Sequence, residues 1–268
     1  MTERKSSAAS HLDVLLDQDA FLPHQQTFLA AHAEGQWCVA AIDEANFKRY
    51  QEWCEQQKDH NETPLPEELA PMLDQLKQSQ QQLSELERAL QNEEFCFYLQ
   101  PKCNSMTKAI VGMEALVRWN HPTRGIVPPG EFIPLMEETG LITRLDLYLW
   151  ESVCKMLHRW NEEKRNLVPI SVNMSIADIT SLDAAEVFGS LMERYQLESR
   201  LLLVEITESV MAQNMSLVEN TIKGLHRKGF SVVMDDFGSG YSSLNMLKDT
   251  NVDAIKLDMK LIDMNQQN

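Results

Sequence analysis

Beyond residue 95 the sequence alternates short apolar runs with longer amphipathic stretches, and nearly every apolar run has a polar residue in it or just after it. The short runs, at 96–100, 109–119, 168–172, 201–206, 231–234 and 254–257, have the length of strands. Between them Val218, Ile222 and Leu225 keep helical spacing as far as Gly229, a natural helix stop, and the 131–160 stretch is rich in helix formers. Alternation this regular predicts βα units around a parallel sheet, either open or closed into a barrel. The carboxyl ends of barrel strands form the catalytic mouth, so Glu114, Asn173, Glu205, Asp235 and Lys256 are expected to meet there. A single acid at a strand end usually faces water or caps a helix. Five polar residues in register are hard to explain that way.

Charge narrows the chemistry. The 40 acidic and 24 basic side chains give a net charge of -16, which argues against gripping duplex nucleic acid through its phosphates. A phosphate ligand would need metal or a local cation. The five cysteines, Cys38, Cys54, Cys96, Cys103 and Cys154, form no CxxC pair, as expected for reduced thiols in the cytosol. No stretch approaches the roughly 18 apolar residues of a membrane span, so a cytoplasmic location is expected.

The donor types point to a particular metal class. Glu114, Glu205, Asp235, Asp236 and the Asn173 carbonyl are hard oxygen ligands with no thiolate or imidazole among them, which favours Mg2+ or Mn2+ over zinc. Four crowded carboxylates repel unless cations sit between them. Asp235 and Asp236 would point to opposite faces of a straight strand, so the backbone must turn, and Gly238 and Gly240 permit a turn. Two metals about 3.5 to 4 Å apart would polarise a phosphate, generate hydroxide and steady a leaving oxygen. His121 reads as a loop hydrogen-bonder and the 14 methionines as core filler.

Several strings are familiar together: Glu114-Ala115-Leu116 with Arg118, Val172-Asn173-Met174-Ser175, Glu205-Ile206-Thr207-Glu208, Asp235-Asp236-Phe237-Gly238-Ser239-Gly240 and Lys256-Leu257-Asp258. With Leu99-Gln100-Pro101 and Phe132-Ile133-Pro134, this set resembles the EAL family of cyclic di-GMP phosphodiesterases, over residues 95 to about 263. The resemblance implies an α/β, TIM-barrel-like fold and metal-dependent hydrolysis of cyclic di-GMP to linear pGpG. It places Glu114, Asn173, Glu205 and Asp235 on one metal, with Asp235 bridging to a second held partly by Asp236. Lys256 takes the water-activating role, which requires bound cations to lower its pKa. Gln100, Arg118 and Asp258 fall at substrate-contacting positions. Glu208 matches a glutamate that steadies the 236–243 loop, itself tied to dimerisation.

Residues 95–268 are fewer than the about 250 of a complete eight-unit barrel, so the last two strands and part of the second metal site are expected to be missing. A catalytically inactive module that binds cyclic di-GMP, or another protein, is the alternative. Ahead of the barrel, Leu69, Leu76, Leu83 and Leu90 recur every seventh residue and predict a helical linker over 64–94. That helix could form a coiled-coil stalk or pack on its own domain, so a homodimer could form through it or through the barrel loop. Residues 1–63, with a strand over 37–42 followed by a helix through Phe47 and Lys48, resemble a degenerate remnant of a diguanylate cyclase (GGDEF) domain.

Overall fold

A computed structural model describes residues 14–22, 27–32, 37–41, 70–238 and 251–258; side chains are described from 78 onward, except 80. The chain divides into two compact units, Met1–Ala89 and Leu90–Asn268. In the first, β1 (Val14–Leu22), β2 (Thr27–His32) and β3 (Trp37–Ala41) form an antiparallel meander. Of these, the sequence disclosed only β3, because β1 mixes Asp17, Gln18 and Asp19 into its apolar positions and breaks the period of two. The helix expected through Phe47 and Lys48 lies outside the described residues. Of the heptad-spaced leucines, Leu76, Leu83 and Leu90 fall in α1 (Ala70–Gln91), and Leu69 lies outside the described residues.

The second unit carries every strand that the sequence suggests: β4 (Phe95–Cys103), β5 (Ile110–His121), β7 (Ile170–Asn173), β8 (Leu202–Thr207), β9 (Ser231–Phe237) and β10 (Ala254–Leu257). A short β6 (Gly125–Val127) pairs with the end of β5. The order β10-β9-β8-β7-β5-β4 is parallel from β5 through β10. β4 departs from the expected βα pattern and runs antiparallel to β5. Only a tight turn separates them, with Asn104 Oδ1 accepting from the amides of Met106 and Thr107 at 2.9 Å, and a parallel crossover needs a dozen or more residues.

Helices cover the outer face of the sheet. They are α2 (Ile133–Glu138), α3 (Ile142–Glu162), α4 (Ile176–Ser181), α5 (Ala184–Arg194), α6 (Glu208–Gln213) and α7 (Met215–Arg227). Val218, Ile222 and Leu225 of α7 are buried, and the chain leaves through Gly229 at φ 83°. The strands contribute Ile170, Val172, Leu202, Val204, Ile206, Val232 and Met234 to the same core, all closed to solvent or nearly so. Cys154 lies within it, and burial pushes its thiol up to about 12, so it is a packing residue and not a nucleophile. Among the described residues no helix is long and apolar enough to cross a membrane.

Two of the buried acids form a pair. Asp178 is completely enclosed: Ser175 N and Oγ donate to its Oδ2 at 2.8 and 2.7 Å, and Ser175 Oγ in return accepts from Asp178 N, a capping box that starts α4. With both acids ionised, its Oδ1 has no donor. Asp146 of α3 lies against it, and burial together with the Asp178 charge raises the Asp146 carboxyl well above its ordinary range, so that a protonated Asp146 donates to Asp178. The other acid facing this pair is Glu137 of α2, raised by burial and by Asp178.

The folded chain therefore holds a proton that the unfolded chain releases. Stability from this pair is full below the ordinary Asp value of about 3.9 and is lost as pH rises through the elevated one. Asp146→Asn keeps a donor at every pH. Calorimetric scans should show its Tm about 2–4 °C above wild type at pH 8, with the difference vanishing near pH 4. A wild-type Tm that rises from pH 5 to 8 in parallel with the variant would contradict the protonated pair.

Candidate active site

Glu114 on β5, Glu205 on β8 and Asp235 on β9 each offer a carboxylate oxygen, and these atoms lie within 4.8 Å of one another. Three non-adjacent stretches of sequence thus meet because strand register aligns them. Glu114 stands opposite Ser171 on β7, Asn173 opposite Glu205, and Thr207 opposite Asp235. Side chains two residues apart share a face, so the polar residues emerge on the concave side while Val204, Ile206, Val232 and Met234 enter the core.

Lys256 reaches the centre of this cluster from β10. Its Nζ donates to Asp235 Oδ2 at 2.6 Å, Glu205 Oε2 at 2.8 Å and Glu114 Oε2 at 2.9 Å. Partial burial pushes the Lys256 ammonium down, but the hydrogen bonds to the three carboxylates outweigh it and the net shift is strongly upward. Burial likewise opposes ionisation of Glu205, whose side chain has no exposure, yet hydrogen bonds from Lys102 and Lys256 hold it below the usual carboxylate range. Lys102 of β4 was missed from the sequence. Its Nζ donates to Glu205 Oε1 and, at 2.5 Å, to Ser171 Oγ. The signal was available in the two-residue period of β4, which puts Lys102 on the same face as Gln100, the register partner of Glu114.

The other expected residues lie around this centre. Asn173 ends β7 beside Glu205, and its backbone carbonyl accepts from Trp150 Nε1 at 3.0 Å. Asp236 is outside the three-carboxylate group: it is exposed, and its amide donates to Asp235 Oδ1 at 2.8 Å. The turn expected at the glycines begins at Asp236 itself, with φ 55°, and continues through Gly238 at φ 93°. Aspartate tolerates this left-handed conformation better than most residues. Gly240 lies outside the described residues. Glu208 is buried and its Oε2 accepts from Gly238 N at 2.7 Å, fixing the start of the loop after β9.

Gln100 is exposed opposite Glu114. Arg118 lies over the Tyr98 ring at 5.6 Å and donates to the Val117 carbonyl at 2.7 Å. Asp258 follows β10, with its amide bonded to Phe237 O at 3.0 Å. His121 is turned into its own loop, its Nδ1 facing the amides of Thr123 and Arg124 at 3.2 and 3.1 Å. A cavity of about 280 Å³ opens next to the rim, shares Asn173 and Thr207 with it, and is otherwise lined mainly by apolar residues such as Leu116, Ile133 and Trp150.

A parallel sheet whose strands bring acids to one point is the framework of metal-assisted phosphate chemistry. The model of the EAL domain matches residues 83–268, and the chain belongs to that family. Cyclic di-GMP phosphodiesterase PA2567 of Pseudomonas aeruginosa is 36% identical over 178 residues, 66% of this chain and 30% of that protein. Cyclic di-GMP phosphodiesterase PdeR of Escherichia coli is 34% identical over 177 residues, 66% of this chain and 26% of its own length. The chain spans about a quarter of the length of several curated relatives it matches. Among solved structures, the PaMucR phosphodiesterase in complex with c-di-GMP is 30% identical, with a TM-score of 0.65 over 70% of this chain and 76% of that one.

The donor set fits a hard divalent cation. It contains carboxylates from three strands, no sulfur or imidazole, and a lysine that already fills the cluster with positive charge.

Proposed function

We propose that this domain hydrolyses cyclic di-GMP to linear pGpG with Mg2+ or Mn2+ held by Glu114, Glu205 and Asp235, and with Asn173 and Asp236 completing the ligand set. The observation that carries the reading is the meeting of those three carboxylates on a lysine ammonium. Divalent ions bound there supply electrophilic activation of a phosphodiester and lower the pKa of water.

The chain's own residues have distinct tasks. While three carboxylates accept from its Nζ, Lys256 is a proton-holding acid. It can take a proton from water only when the positive charge of the site rises. Arg118, braced on Tyr98, presents a guanidinium suited to a phosphate oxygen on the same strand face as Glu114. Gln100 and Asp258 stand at the flanks for ligand contacts. The cavity beside Asn173 has room for one heteroaromatic ring system, and its apolar lining would favour stacking over solvation.

Turnover of cyclic di-GMP should require Mg2+ or Mn2+, stop on addition of chelator, and fall at least about 100-fold in Glu114→Ala. Product formation that is indifferent to both treatments rules the mechanism out. Saturable binding of cyclic di-GMP by calorimetry with no turnover in either ion would instead support the binding-module reading. That reading draws on the balance already present in the cluster, where Lys102 and Lys256 offset carboxylate charge.

A further inference from the structure

Lys102 splits the two oxygens of Glu205 between two different tasks. Its Nζ holds Oε1, while Oε2 turns into the pocket shared with Glu114 and Asp235, where Lys256 Nζ is 2.8 Å away. The tether is itself braced. Ser171 is buried, accepts from Lys102 at 2.5 Å, and donates through the same hydroxyl to Met113 O at 3.2 Å. Lys102 enters from β4, beside Gly112 of β5, on the inner side of the carboxylates, and Lys256 enters from β10. Glu205 is fully enclosed between them, so its carboxylate cannot rotate without giving up its bond to one of the two ammoniums.

On the reading that this pocket takes a divalent cation, we propose that Lys102 is a specificity-determining positioning residue. By occupying Oε1 it confines Glu205 to ligation through one oxygen and so selects Mg2+ or Mn2+ over Ca2+. Small divalent ions demand near-octahedral geometry at about 2.0–2.1 Å and take one oxygen from each carboxylate. Ca2+ accepts six to eight ligands at about 2.3–2.6 Å and commonly takes both oxygens of one carboxylate. A Glu205 released from Lys102 is free to offer both. Loss of the lysine also makes the pocket more negative, but that change acts on both ions alike because they carry the same charge. The ratio of the two affinities therefore isolates the geometric role.

The test measures Mn2+ binding from the disappearance of the free-ion electron paramagnetic resonance signal, and Ca2+ binding by displacement of that Mn2+. Wild type, Lys102→Met and Lys102→Arg are compared. The Ca2+ to Mn2+ dissociation-constant ratio should fall about tenfold in Lys102→Met and stay within about twofold of wild type in Lys102→Arg, which keeps a donor on Oε1. An unchanged ratio in a Lys102→Met protein that binds Mn2+ overturns the assignment and leaves the cation site standing. If Lys102→Met does not fold, Ser171→Ala loosens the same tether, and the ratio should then fall about threefold, with no change again counting against the role. Absence of Mn2+ binding in wild type overturns the cation reading itself, and with it this proposal.

Discussion

Lys256→Met should abolish cyclic di-GMP hydrolysis, with a loss of about 10²–10⁴-fold, and at the same time tighten Mn2+ binding by about tenfold. The two effects separate what the lysine does for chemistry from what it does in the resting site. Its Nζ lies 2.6 to 2.9 Å from oxygens of Asp235, Glu205 and Glu114, the atoms a divalent ion would need. Any such ion has to displace the ammonium, and removing the competitor saves about 1–2 kcal/mol for exchanging partly exposed ion pairs. Mn2+ titration of the variant alongside a turnover assay reads both quantities. Loss of turnover with unchanged or weaker Mn2+ binding would show that Lys256 does not compete for the ligands.

Trp150→Ala should cost about 3–5 kcal/mol of folding stability, a large part of the roughly 5–15 kcal/mol that holds a domain together. The indole is 1% exposed, its ring centroid is 4.4 Å from that of Phe188, and its Nε1 donates to the Asn173 carbonyl. Trp150→Phe retains most of the packing and removes the donor, so it should cost about 1–2 kcal/mol. Urea unfolding followed by circular dichroism distinguishes the two variants. A Trp150→Phe cost near zero would mean that the hydrogen bond to the rim adds nothing beyond the packing of the ring.

These effects show which parts of the fold a linear sequence can convey. The barrel strands were legible because Ile170 to Val172, Leu202 to Ile206 and Val232 to Met234 are short, mainly apolar runs broken only by Ser171 and Glu205, as expected for strands largely buried on both faces, each with a polar residue in it or just beyond its end. Alternation gave the helices on the outer face for the same reason. The direction of β4 was harder to read, since the alternating pattern does not distinguish a hairpin from a crossover; only the brevity of the 104–109 link does. Lys102 stayed hidden between Pro101 and Cys103, where a lysine reads as a solvated charge, and its partners are 69 and 103 residues away. Asp146 and Asp178 were invisible on other grounds. Composition places acids outside, and only the packing of α3 against α4 reveals that one of them keeps its proton. The turn at Asp236 is a backbone decision taken two residues earlier than the glycines suggested.

The reversed direction of β4 has an engineering consequence. Because β5 runs parallel to β7 and β4 runs against both, the link at 104–109 emerges on the blind side of the sheet, at the end opposite the rim, and Met106 there projects almost wholly into water. A fluorophore, affinity handle or fused domain attached at that point would ride on the domain without shadowing its mouth.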